Sequence, residues 1–299
     1  MEIVDAHHHV WRTRDMPWLS GPMVPRIFGP YEPIKRDYLI EEYIDDARSG
    51  GITQSVYVQA NWPLHQVLAE VRWLADLHER TGWPTAVIGS ADLFSPGAVE
   101  VMREQARLPV LRGTRLQLHW HEREEFRFAS APDRMTDPVF RENLAALADL
   151  GWLFELQVFP GQMAHAAELV AAFPDITFVL VHAGMLTSLD DADVGPWRTG
   201  MAALAALPNV VVKLTGQGTF VRRLDPEFIA FVATETVGWF GAERAMFGTN
   251  FPVEKLWTTM PDLVGAWRVA LASLSEAERV SVFAATARRV YNLPETTAH

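Results

Sequence analysis

Three consecutive histidines stand at positions 7 to 9, in Val4-Asp5-Ala6-His7-His8-His9-Val10-Trp11, directly after a short apolar run. Three are too few for an affinity tag, and the residues before them are strand-like, not a disordered end. Alternate side chains of a strand share a face, so Asp5, His7 and His9 point together and His8 points away as packing. Two imidazoles spaced in this way can bridge a divalent ion, and imidazoles also titrate close enough to neutrality to move protons. Hydrogen-bonded core histidines are the plain alternative. Further along, His182 closes the apolar run ITFVLVH, and Arg115 in RGTR carries a guanidinium fork that suits a carboxylate. Gln59 follows Tyr57, Glu155 and Gln157 share a face, Lys213 interrupts VVVKL, and Asn250 stands beyond Met246 and Gly248 on one face. Each of these polar groups falls at or just past the end of an apolar run. That coincidence, repeated along the chain, marks a site.

The elements that must position them are eight short apolar runs, Ile3–His9, Ser55–Gln59, Thr85–Ala91, Val110–Leu118, Trp152–Val158, Ile176–His182, Val210–Leu214 and Ala245–Gly248. Helical periodicity fills the intervals over Asp37–Ser49, Leu64–Thr81, Ser95–Arg107, Asp137–Asp149, Gln162–Phe173, Pro196–Ala206 and Pro226–Phe240, with Met260–Ser273 and Ser275–Tyr291 after the last run. Asp37, Ser95, Asp137, Asp225 and Ser275 are the expected N-caps; Gly50-Gly51, Gly82 and Gly151 are the expected stops. Strict alternation without a linker predicts one α/β domain over residues 1–299, a (β/α)8 TIM barrel with an extra C-terminal helix. A doubly wound open sheet lacks its Gly-rich phosphate turn here. Two insertions, Trp11–Arg36 and Trp120–Thr136, become extended loops over the C-terminal face, where substrate loops belong. His119 and His121 flank Trp120 in the loop after the fourth run and read as substrate-loop residues or, more simply, as a solvated loop; the Arg222-Arg223 pair reads as a solvated helix start. Trp11, Trp18 and Trp62 either line an apolar pocket or pack loops.

Composition narrows the chemistry. The chain has 299 residues, 49% hydrophobic, with a formal net charge of −11 and no cysteine. Scattered basic residues and a negative balance argue against a nucleic-acid partner. Without cysteine there is no disulfide, thiolate nucleophile or thiolate metal site. Neither a signal peptide nor a membrane span is read, which leaves the cytoplasm as the default compartment, a small molecule as partner, and homo-oligomerisation open.

DAHHHVW, LVHAGM (Leu180–Met185) and MFGTNFPVEKL (Met246–Leu256) together resemble the amidohydrolase superfamily, in its branch of lactonase-like, metal-dependent hydrolase TIM barrels. The resemblance spans nearly the whole chain in order. It implies that His7, His9 and His182 are a metal set for one divalent ion, zinc by preference, or else act on the scissile carbonyl directly. It implies that Arg115 holds a substrate carboxylate. Strand four offers no Lys or Glu and strand five has Gln157 where binuclear relatives have histidine, so one ion is the most this set would hold. Asn250 stands where such proteins place an aspartate; an amide cannot take a proton from water at neutral pH. The expected function is hydrolysis of a lactone or related carbonyl bond of a small organic acid. His7, His9, His182 and Asn250 are the catalytic set, and Gln59, Arg115, Gln157 and Lys213 the substrate-binding set. Glu155 is a remote third candidate for the base. Non-oxidative decarboxylation is the alternative chemistry, a non-catalytic metabolite-binding barrel the alternative class, and metal-free catalysis stays open.

Overall fold

The computed structural model describes residues 1–295, in which eight parallel strands lie side by side in sequence order. They are β1 Ile3–His8, β2 Ile52–Val58, β3 Ala86–Gly89, β4 Leu111–Arg115, β5 Leu153–Leu156, β6 Phe178–Leu180, β7 Val210–Leu214 and β8 Ala245–Phe247. Regular ladders join each strand to the next from β1 to β8. The last seam is closed just past β8, where the Asn250 amide donates to His7 O at 2.7 Å and the His9 amide to Phe251 O at 2.8 Å. This is the expected (β/α)8 barrel. All strands but β7 end before their apolar runs do, and of the residues past the strand ends His9, Gln117, Gln157 and His182 line the mouth.

Two apolar layers hold the barrel. Val4, Ala6, Val56, Ile88, Val179 and Met246 belong to the inner one, and a larger shell packs the outer strand faces against the helices. Both need side chains to alternate, and β1 breaks that alternation. Between Asp5 and His8 its register against β2 slips by one residue, so Ala6 and His7 together oppose Val56. A bulge of this kind re-aims side chains. The expectation that Asp5 shares a face with His7 and His9 is therefore corrected. Asp5 and His8 face the helices: Asp5 accepts from Tyr43 Oη at 2.8 Å, and the His8 ring stacks on Tyr43 with centroids 3.6 Å apart.

Helix starts follow local chemistry, with two corrections. Asp137, Asp225 and Ser275 each accept backbone amides as N-caps. Asp37 does not, because Tyr38 pairs in both directions with the Trp11 backbone and keeps the chain extended until Ile40. Ser95 instead belongs to a turn, and its helix begins at Ala98. Gly82 and Gly151 end their helices in the left-handed conformation.

The expected last helix is broken by a π turn at Ser281–Ala285, and its end, Thr286–Tyr291, closes the bottom of the barrel. Ala284, Ala287 and Tyr291 join the inner apolar layer. The Tyr291 carbonyl accepts from Arg112 and the Pro294 carbonyl from Gln54, both donors near the starts of their strands. Tyr291 Oη reaches inward and donates to Glu155 Oε1 at 2.9 Å. Tyr291→Phe removes one donor from a fully buried carboxylate, and the folded state is expected to lose about 1–3 kcal/mol. Urea unfolding checks this as a lower midpoint at unchanged slope.

Candidate active site

The C-terminal ends of the strands surround a cavity of about 90 Å³. Its polar wall is His9, Arg115, Gln117, Gln157, His182 and Asn250, and Trp11, Trp18, Ile27 and Phe28 form an apolar wall from the loop after β1. That loop is the first of the two expected insertions. His119 also lines the cavity and is buried, which corrects the solvated-loop reading of it and agrees with the substrate-loop one.

Backbone carbonyls set the direction of two imidazoles. His9 Nδ1 lies 2.7 Å from Val58 O, and His182 Nδ1 lies 3.2 Å from Thr215 O. A carbonyl only accepts, so in both rings Nδ1 carries the proton and Nε2 keeps its lone pair. The backbone around His182 is shaped for this. His182, Ala183 and Met185 all have positive φ, with Gly184 among them, a left-handed turn that costs L-residues about 1–2 kcal/mol each. Trp197 Nε1 holds the turn by donating to Ala183 O at 2.7 Å. Gly216 leaves room for the ring, since a Cβ there would stand 2.4 Å from His182 Nδ1. Burial, aided by the charge of Arg115, holds both imidazoles below the ordinary histidine range, His9 at about 3.

His7 stands apart from this pair. Its ring centre is 5.1 Å from that of His9 and 4.9 Å from that of His182, yet it is fully buried beneath the cavity and does not line it. Lys213 Nζ lies 3.4 Å from His7 Nδ1 and 2.6 Å from Glu155 Oε1. Lys213, held at about 8 by burial against the pull of Glu155, is still an ammonium at neutral pH. Facing a donor, His7 Nδ1 accepts, which leaves the proton on Nε2, an atom without a hydrogen-bond partner. To ligate, this nitrogen would first have to lose its proton or pass it to Nδ1, against the Lys213 ammonium. Among the described residues no three His, Cys, Asp or Glu side chains are grouped to hold an ion. The residues as they stand thus do not fit the three-histidine metal centre, and two buried cations, Arg115 and Lys213, give the site a field that favours an anion. The expected substrate role of Lys213 is corrected in the same terms: it sits under the site, in an ion pair with Glu155. Glu155, locked with Lys213 and Tyr291, is no base for the cavity.

Arg115 is poised for an acidic group. Its guanidinium donates to Gln59 O and, at 3.3 Å, to Gln157 Oε1, and its Nε remains without a partner. Gln59 acts through its backbone carbonyl; its side chain folds back to accept the Asn61 amide at 2.7 Å. Gln59 does not line this cavity but lines the one beside it. Gln157 stays at the cavity wall beside Arg115.

The unexpected member is Glu254. Buried behind the cavity wall, it accepts from Thr219 N at 2.9 Å and Thr219 Oγ1 at 3.1 Å. Asn250 Nδ2 donates to Thr219 Oγ1 at 3.1 Å, which links the amide through Thr219 to Glu254. Burial raises the Glu254 carboxyl to about 7 against these hydrogen bonds. The presence of this carboxyl accounts for the amide at position 250. An aspartate there would bring two carboxyl groups into contact, whereas Asn250 supplies N–H donors. In the sequence Glu254 reads as an ordinary charge after Val253, and nothing in its spacing distinguishes it.

The family model described as Amidohydrolase matches residues 4–293. An L-fucono-1,5-lactonase of Burkholderia multivorans (strain ATCC 17616 / 249) is 30% identical over 307 residues, covering 98% of this chain and 96% of its own length. An uncharacterized protein of Sinorhizobium fredii, y4mH, is also 30% identical, over 97% of this chain and 98% of its own. Among solved structures, an amidohydrolase from Burkholderia multivorans with bound zinc has a TM-score of 0.83 at 28% identity, over 98% of this chain and 100% of that one.

Glu254 and Asp5 have a measurable consequence. Burial raises their carboxyls to about 7 and about 6, above the ordinary values of 4.5 and 3.8. In that window the folded protein keeps protons that the unfolded chain has released, so stability falls as pH rises from about 4 to about 7 and then levels. Glu254→Gln is expected to flatten this slope, gaining on the wild type by on the order of 2–3 kcal/mol between pH 4.5 and 8. Urea unfolding of both proteins at the two pH values measures it.

Proposed function

This chain belongs to the amidohydrolase family, and from that premise we propose that it opens a lactone or related cyclic ester of a small organic acid by hydrolysis. One observation carries the reading: His9 and His182, each fixed through Nδ1 to a backbone carbonyl, line one small cavity with Arg115.

In this mechanism the substrate's acidic group pairs with Arg115, whose unpartnered Nε gives it spare donor capacity. The neutralised guanidinium then depresses His182 less, and its proton affinity rises as substrate binds. Water gives one proton to His182 Nε2, and its oxygen bonds to the lactone carbonyl carbon. Asn250, which gives one Nδ2 N–H to Thr219 Oγ1, donates its second toward the oxyanion that forms. The ring C–O bond then breaks, and the alkoxide takes the proton from His182. The product is an open-chain hydroxy acid, and no atom is left unbalanced. His7 with Lys213 acts from below, keeping positive charge under the developing oxyanion.

The lactonase relative supports cyclic-ester hydrolysis, and the zinc in the related structure supports an ion-dependent variant. In a lactone panel assayed by acid release, with and without chelator, activity is expected to survive chelation. His182→Asn is expected to lower kcat by about 10²–10⁴-fold, and Arg115→Met to act mainly on KM. Loss of activity on chelation with recovery on added zinc would replace the metal-free route. Release of CO₂ from aromatic acids without any ring opening would turn the assignment to the decarboxylase. Substrate binding without turnover would turn it to the metabolite-binding barrel.

A further inference from the structure

Beside the catalytic cavity lies a second, larger one of about 370 Å³, and Trp18, Asn61 and Gln117 line both. The two cavities thus adjoin at Trp18, Asn61 and Gln117, and the first of them holds His9 and His182. The walls of the second combine two kinds of group. Leu64 and Phe128 are apolar yet 47% and 50% exposed, and both stand on this cavity with Pro17, Pro63 and Leu116. Scattered exposed apolar residues need no explanation, but two on one concave wall suit a hydrocarbon segment of a ligand.

Hydrogen-bonding capacity is left over among the same walls. Arg26 Nε, Trp62 Nε1 and Gln117 Oε1 are buried without partners, although Trp62 is only 6% exposed. The Arg26 guanidinium stacks 5.0 Å from the Trp18 ring centre and 5.8 Å from that of Tyr31, and no carboxylate pairs with it among the described residues. Two N–H donors, one on a cation, are complementary to a carboxylate.

We propose that the second cavity is a tail subsite, and that the substrate is an elongated acid-tailed lactone. Its ring lies under His182, an apolar segment runs past Gln117, and a terminal carboxylate meets Arg26. This rests on the ring-opening reading of the first cavity but makes a separate claim about length and charge. A compact lactone without a tail leaves Arg26 and Trp62 unused.

Binding and turnover test it separately. Suberate, an extended dicarboxylate with six methylenes, and succinate, with two, are titrated into the full-length protein by calorimetry. Arg26→Met is expected to weaken suberate by about tenfold or more, Arg26→Lys to regain part of that, and succinate to change by less than about twofold. Unchanged suberate affinity in a folded Arg26→Met protein, or an equal loss for succinate, overturns the subsite. The second arm compares lactones whose side chains end in a carboxylate or in a primary amide. The acid is expected to be favoured in kcat/KM by the wild type, and the preference to vanish in Arg26→Met. Ring opening with no such preference removes the subsite and leaves the hydrolase standing. Arg26-dependent suberate binding with every lactone left intact removes the hydrolase and leaves the subsite.

Discussion

The barrel and its site both depend on one seam, the join between the first strand and the turn after the last. Asp5 staples it: Oδ1 accepts the Thr249 amide at 2.8 Å and the His7 amide at 3.0 Å, and Oδ2 accepts Thr249 Oγ1 at 2.6 Å and Tyr43 Oη at 2.8 Å. Backbone bonds from Asn250 to His7 and from His9 to Phe251 complete the closure. The residues that close the barrel are thus the neighbours, or the backbone, of the residues that line the cavity. A shift at the seam would move His9 and Asn250 together. Four donors on one carboxylate make that shift costly, because each donor would lose its partner in a dry interior.

Above the seam the electrostatics are one-sided. Arg115 and Lys213 are buried cations, Glu155 makes an ion pair with the lower one and acts on Arg115 only from a distance, and the histidines respond by staying neutral. Such a centre stabilises incoming negative charge, whether a carboxylate or an oxyanion, more readily than a metal ion. Glu254 does not cancel this field at the cavity. It lies behind Thr219 and Asn250 and is itself drawn toward the protonated form by burial. Its role is to hold donors in place, including the amide at position 250. The departure from an aspartate at that position is therefore coupled to a carboxyl four residues on.

Much of the scaffold was legible because it rests on local rules. Apolar runs alternating with helical periodicity are enough to imply eight strands and a barrel, since each strand must bury both faces and each helix one. Asp137, Asp225 and Ser275 cap helices for reasons visible in the neighbouring residues alone. Polar residues at the ends of apolar runs pointed to the mouth, and His9, His182, Arg115, Gln157 and Asn250 do meet there. Errors appeared where a distant partner overrode a local rule. Asp5 left the expected face because a bulge on β1 breaks the period of two, and Lys213 left the substrate set because Glu155 and Tyr291 claim the barrel interior. Asp37 failed as a cap because Trp11 and Tyr38 pair across an insertion.

By itself the sequence determined which chemical groups are available, in what order, and on which repeating unit: imidazoles, one guanidinium and an amide at strand ends, with no thiolate. Those facts are local, carried by residue type and spacing. Only the tertiary structure decided which nitrogen of each histidine is free, that His7 lies under the cavity instead of in it, and that Glu254 backs Asn250. It also decided that Arg26 and Trp62 share a second cavity with Gln117. Tautomer, burial and pairing depend on atoms far apart in the chain, such as Val58, Thr215 and Lys213. No periodicity in the sequence encodes where those meet.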